Sequence, residues 1–127
     1  MDFTRRQLMG TAAMGAVALA ASPAAAQKKY DTGASDTEIK IGNTNPYSGP
    51  ASSYGTIGKT ITACFNKVNA EGGINGRKIN FISYDDAFSP PKSVEQVRKL
   101  VEGDEVLAVF GTMGTASNTA IEKYLNQ

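Results

Sequence analysis

Side chains able to do covalent or metal chemistry are scarce in this sequence. Its 127 residues include no His and a single Cys, Cys64, which removes the commonest general base, the commonest transition-metal ligand, and any internal disulfide or thiolate metal cage. Asp85-Asp86 is an acidic pair that invites a metal or phosphoryl-acceptor reading. It comes without a third carboxylate or a neighbouring Lys, and so gives that chemistry little to work with. Thr112-Met113-Gly114-Thr115-Ala116-Ser117 is a glycine and hydroxyl run placed where a helix is expected to begin. Thr115 and Ser117 suit plain helix caps, because capping wants such side chains. No nucleophile paired with a base is visible, and Gly72, Gly73 and Gly76 follow a helix rather than a strand, so they form no phosphate cradle.

The elements that position these residues begin after an export signal. Residues 1–26 combine Arg5 and Arg6, an uncharged small-residue stretch from Gly10 to Ala21, and Ala24-Ala25-Ala26 as an A-x-A cleavage site ahead of Gln27. Thr4-Arg5-Arg6-Gln7-Leu8-Met9 resembles the twin-arginine signature. An ordinary secretory signal with two basic residues is the other reading. The run Ala12–Ala21 is too short and too weakly apolar to span a bilayer core of roughly 30 Å. Cleavage would leave 11 basic and 11 acidic residues, so the mature segment has no field for nucleic acid and must choose its ligand by local groups. At 41% apolar and 20% charged, the composition is that of a globular chain of at most one domain.

Residues 27–37 are polar and aperiodic and read as a flexible leader. Ile39 and Ile41 alternate in a short strand over Glu38–Thr44 that runs into the turn-rich loop Asn45-Pro46-Tyr47-Ser48-Gly49-Pro50. Ile57, Ile61, Cys64, Phe65 and Val68 recur at helical spacing, predicting a helix from about Ser53 to Glu71 with Cys64 as a buried, inert thiol. Gly72-Gly73 stops it and Asn75-Gly76 turns the chain. A second strand over Lys78–Asp85 follows, then a helix capped by Ser89 with Pro90 and Pro91 in its first turn and Val94, Val97, Leu100 and Val101 on one face. Val106–Phe110 reads as a strand covered on both faces, and Ala120, Ile121, Tyr124 and Leu125 mark a third helix. Strand and helix alternate throughout, which predicts an α/β fold: a parallel sheet with right-handed crossovers and helices on both faces. Ligands of such sheets bind beyond the carboxyl ends of the strands, here the loops Asn45–Tyr54, Asp85–Ser89 and Gly111–Ser117.

Ile39-Lys40-Ile41, Tyr47-Ser48-Gly49-Pro50, Tyr54-Gly55, Asn69-Ala70-Glu71-Gly72-Gly73-Ile74-Asn75-Gly76 and Tyr84-Asp85-Asp86 stand in the order and spacing of one family. By these motifs residues 38–127 resemble the branched-chain amino-acid-type solute-binding proteins of ABC transporters. The resemblance implies a periplasmic-binding-protein type I fold, with two lobes closing on a small-molecule solute, an amino acid or related carboxylate, and delivery to an ABC permease at the inner membrane. It also implies a periplasmic protein that is not an enzyme, with no cofactor and no metal. The segment looks like part of the amino-terminal lobe, ending inside a helix at Gln127. Carried over residue by residue, Tyr54 matches a cleft aromatic that packs on the solute. Met113, Gly114 and Thr115 match the loop holding the solute carboxylate, with Ser117 beside it. Gly114 stands where amino-acid-binding members have Ser, leaving amides and the Thr115 hydroxyl as donors. Asp85-Asp86 is, on this resemblance, mainly structural, and Tyr47 either shields the cleft or packs on Pro46 and Pro50. A ligand-binding sensor domain of the same fold and a flavodoxin-like enzyme are the alternative readings.

Overall fold

The computed structural model describes residues 29–126, so the export-signal reading of residues 1–26 lies outside the described residues. Strands β1 (Glu38–Asn45), β2 (Lys78–Asp85) and β3 (Ala108–Val109) form a parallel sheet in the order β2-β1-β3, joined and followed by helices α1 (Thr56–Ala70), α2 (Pro90–Arg98) and α3 (Thr115–Leu125). The central strand pairs with β2 along its whole length, from Glu38↔Lys78 to Asn45↔Asp85, and with β3 only at Ile41↔Ala108 and Gly42↔Val109.

Alternation along the strands sends neighbouring residues to opposite faces. Phe81, the partner of Ile41, meets Phe65 of α1 edge to face with centroids 5.2 Å apart. The next residue, Gly42, faces the other layer, where a Cβ would come within 3.1 Å of Leu100 and Val106. Helices therefore cover both faces, as the alternation predicts. Of the buried apolar residues, Val97, Leu100, Ile121 and Val106 lie on the α2–α3 side and Ile79 belongs to β2, and the absence of a side chain at Gly42 lets Leu100 approach the sheet. The apolar face expected for α2 is present, with Val94 and Val101 half-buried at its margins, and the helix continues into a π turn at Lys99–Gly103.

Four sequence expectations are corrected. Cys64 is exposed, and Ile57 beside it is also exposed. The line of α1 that meets the sheet is Gly58, Ile61, Phe65 and Asn69 rather than the apolar stripe alone. Two contacts rotate the helix that way. The Tyr47 ring packs over Gly58, and Asn69 donates its Nδ2 to the Ile79 carbonyl and accepts the Ile79 N–H through Oδ1, each at 2.7 Å. Second, the run Val106–Phe110 is not covered on both faces, since Leu107 and Phe110 are exposed and only two residues pair with β1. As the outer strand of the described sheet, β3 has neighbours on one side only. Third, Ser89 stands at the N-cap of α2 but its side chain makes no cap bond. Its carbonyl instead accepts the Ser93 N–H at 2.8 Å. Fourth, β1 runs one residue past Thr44 to take in Asn45, expected in the loop, whose buried Nδ2 donates to Asn43 Oδ1 and to the Gly111 carbonyl.

The stretch read as a leader is bonded to β1 from Gly33 onward. The Lys40 N–H donates to the Gly33 carbonyl at 2.8 Å, and a Cβ on Gly33 would lie 2.2 Å from the Leu107 nitrogen. At the other turn, Gly73 donates to the Val68 carbonyl at 2.9 Å to close α1. Asn75 and Gly76, both with positive φ, then make the two-residue reversal that the Asn-Gly pair predicts.

A Gly-to-Ala change inside a helix ordinarily stabilises by roughly 0.5–1 kcal/mol. At Gly58 the new Cβ would lie 2.0 Å from the Tyr47 hydroxyl. Gly58→Ala is expected to destabilise by about 1–3 kcal/mol through overpacking. Urea unfolding of the variant checks the sign, and a gain in stability would contradict the packing described.

Candidate functional site

The carboxyl ends of the three strands are held together by buried side-chain amides. Asn43 and Asn45 are both fully buried on the α1 face of β1. Asn43 Nδ2 donates to the Phe110 carbonyl at 2.6 Å, and Asn45 Nδ2 donates to Asn43 Oδ1 at 2.6 Å and to the Gly111 carbonyl at 3.3 Å. Ser83 of β2 donates to Asn43 Oδ1 at 2.7 Å, and its own oxygen is hydrogen-bonded to the Tyr47 hydroxyl. One connected set of amides thus joins β1, β2 and the loop after β3. Tyr47, left open between cleft shield and packing residue, is half-buried and engaged in this set.

Asp85 and Asp86 order the loops above. Asp85 Oδ1 accepts the N–H groups of Tyr47, Ser48 and Ala87 at 2.8, 3.1 and 3.0 Å, and Oδ2 accepts the Ser48 hydroxyl. Burial works against its charge, but the Ser48 hydroxyl and the three amides outweigh it and bring the carboxyl from 3.8 down to about 2. Asp86, fully buried, accepts the Phe88 N–H at 2.9 Å through Oδ1. Ser93 Oγ lies 3.0 Å from Asp86 Oδ2 and 2.9 Å from Ser117 Oγ, linking this loop to the first turn of α3. Both carboxylates are thus occupied in holding backbone and hydroxyl groups. Among the described residues no group of three or more His, Cys, Asp or Glu is gathered as a metal site would require.

Gly114 is the N-cap of α3 at φ +99°, and Thr115 is the first helical residue. No side chain caps this end, so the cap reading of Thr115 and Ser117 is not met. The Asn118 N–H, bonded to the Gly114 carbonyl at 2.9 Å, begins the helical pattern. The amides before it, of Thr115, Ala116 and Ser117, belong to the open first turn. Of the residues singled out from sequence, Met113 and Gly114 are half-buried and Thr115 is exposed at this helix start. Ser117 is turned inward to Ser93 and buried. Tyr54 stands on the neighbouring loop after β1, in a short 3₁₀ turn over Ser52–Gly55, and is 52% exposed. The structure also brings in Phe88, which sequence reasoning missed. Its ring lies against Gly114, and its backbone, like that of Ala87, has positive φ. Such conformations cost about 1–3 kcal/mol each, and nothing in the residue types announces them.

A family profile described as periplasmic binding protein matches residues 38–127, and the chain belongs to that family. An amino acid binding protein of Pseudomonas aeruginosa is 33% identical over 81 residues, 63% of this chain and 22% of that protein. Among solved structures, the branched-chain amino acid transporter substrate binding protein of Streptococcus pneumoniae, in complex with isoleucine, is 29% identical with a TM-score of 0.62 over 66% of this chain and 24% of that one. A fatty acid ABC transporter substrate-binding protein from Thermomonospora curvata is 26% identical with a TM-score of 0.66 over 76% of this chain and 24% of that one. The chain therefore spans about a quarter of the length of the relatives it matches. These findings bear out the resemblance drawn from the motifs and the type I periplasmic-binding fold. The named relatives are binding proteins. Among the described residues, no helix is long and apolar enough to cross a membrane.

The lowered Asp85 carboxyl fixes a sign for acid stability. Its folded value of about 2 lies below the ordinary carboxylate value, so the charged form favours the folded state. That contribution is complete above about pH 4 and fades as pH falls from there toward about 2. Urea midpoints followed from pH 5 to 2.5 are expected to drop more steeply for the wild type than for Asp85→Asn. Parallel profiles would show that the loop bonds do not depend on this charge.

Proposed function

We propose that the protein carrying this chain is the extracytoplasmic solute-binding component of an ABC importer. It binds an amino acid or related small carboxylate and delivers it to a membrane permease. The observation that carries the reading is the uncapped start of α3, set at the carboxyl ends of parallel strands by Gly114 and by the Asp86–Ser93–Ser117 connection. Unsatisfied amides and the helix dipole favour negative charge there, and a neutral surrounding chain leaves these local groups to choose the ligand.

In this reading the carboxylate accepts hydrogen bonds from the Thr115 and Ala116 amides and from the Thr115 hydroxyl, while Tyr54 offers an aromatic surface from the loop after β1. Ser117 acts indirectly, by fixing the first turn of α3 through Ser93. A second lobe, implied by the family, closes over this wall, and contacts to both lobes favour the closed state only with solute present. Binding proceeds without chemical turnover. Export through a twin-arginine-like signal at residues 1–26 would put the protein in the periplasm, as its family's description suggests.

Proline at position 115 deletes one amide donor together with the Thr115 hydroxyl. Proline is tolerated at the first helical position, where its missing N–H costs no intrahelical bond. In the full-length gene product, Thr115→Pro, which removes both the amide and the hydroxyl of residue 115, is expected to weaken binding of its amino acid or carboxylate by at least about tenfold, the loss of two hydrogen bonds to a charged group. Tyr54→Ala is expected to weaken it as well, and Lys92→Ala, on the exposed side of α2, to leave it unchanged. Calorimetry giving the same affinity for all three variants would refute the site.

A further inference from the structure

Phe88 is used by nothing described so far. It is 46% exposed, and its backbone and that of Ala87 stand at φ +60° and +49°, a region that residues bearing a Cβ avoid. Two carboxylates hold it there. Asp85 Oδ1 accepts the Ala87 N–H at 3.0 Å, and Asp86 Oδ1 accepts the Phe88 N–H at 2.9 Å. The result is a ring seated on Gly114. A Cβ built on Gly114 would fall 2.9 Å from Cε2, 3.4 Å from Cζ and 3.6 Å from Cδ2 of Phe88. The ring thus fills the space a side chain at position 114 would take, using one edge and leaving much of its surface open.

Position matters more than exposure here, since single exposed apolar residues are common. Gly114 immediately precedes the open amides of Thr115 and Ala116, so the ring stands one residue from the donors assigned to the carboxylate. We propose that Phe88 is a specificity-determining residue of this site. Its open surface forms an apolar wall beside the start of α3 and favours carboxylates with a bulky apolar or aromatic body over small ones. The proposal rests on the carboxylate reading of that helix start. Gly114 has a matching role, because a side chain there would displace the ring as well as strain the backbone.

The experiment measures discrimination rather than affinity alone, by calorimetry on the full-length gene product with two probe pairs, L-phenylalanine against L-alanine and phenylacetate against acetate. The wild type is expected to prefer the larger member of a pair that it binds. Phe88→Ala should cut affinity for the larger member about tenfold, as expected for losing roughly half a ring of apolar contact, and leave the smaller within about twofold. Phe88→Leu keeps packing on Gly114 and should fall between. An equal loss for both members would make Phe88 a mere prop for α3 and overturn the proposal. No change in Phe88→Ala, with Thr115→Pro still weakening both members, would overturn it while sparing the carboxylate site. A wild type that binds none of the four probes would overturn both.

Discussion

Buried amide groups at the carboxyl end of the central strand are the constraint around which this structure is arranged. Asn43 and Asn45 lie in the middle of the sheet with no access to water, so their donors must be met inside the protein. They are met by the Phe110 and Gly111 carbonyls, and the Asn43 oxygen accepts from Ser83. Each bond is also a positional statement. The chain leaving β3 must pass close enough to β1 to offer those carbonyls, and this fixes where Gly114 and the start of α3 can stand. Asn45 Oδ1 and Thr44 Oγ1 are buried without a hydrogen-bond partner. Polarity at this strand end therefore carries an energetic cost, of the order of 1–3 kcal/mol for an unsatisfied group.

Above that layer, electrostatics are arranged for holding backbone. Asp85 gathers the loops after β1 and β2 onto one carboxylate, and Asp86 joins the second loop to α2 and, through Ser93, to α3. With both acids committed, the start of α3 is left with the open backbone amides of its first turn and the Thr115 hydroxyl. Such groups recognise an anion by direction and dipole and need no net charge, in keeping with a chain whose basic and acidic residues nearly balance.

The outer side of the sheet has a different character. Ile41, Phe65, Val109 and Phe110 help line an open apolar groove of about 330 Å³ next to β3, and Phe110 is 53% exposed. The apolar run Val106–Phe110 has the composition of a covered strand, yet within the described residues it is an edge. Composition reports the environment in which a strand is stable. It does not report which neighbour supplies that environment.

Much of this protein was legible in its residues because local patterns have local causes. Alternation at Ile39 and Ile41, the 3.6-residue spacing of Val94, Val97, Leu100 and Val101, the paired glycines ending α1 and the Asn75-Gly76 reversal each follow from backbone geometry and side-chain burial within a few residues. So was the family, whose motifs mark those same turns and strand ends, and so was a helix start near Gly114-Thr115. Tertiary structure alone decided the rest, because it turns on groups brought together from distant positions. The rotation of α1 that exposes Cys64 is set by Tyr47 and by β2. The inward turn of Ser117 is set by Ser93 on another helix. Phe88 comes to rest on Gly114 because two carboxylates pin a backbone that its own side chain would not choose. Periodicity can say that a face is apolar, but the partner that face meets, and the loop conformation a buried carboxylate will hold, exist only once the chain has folded.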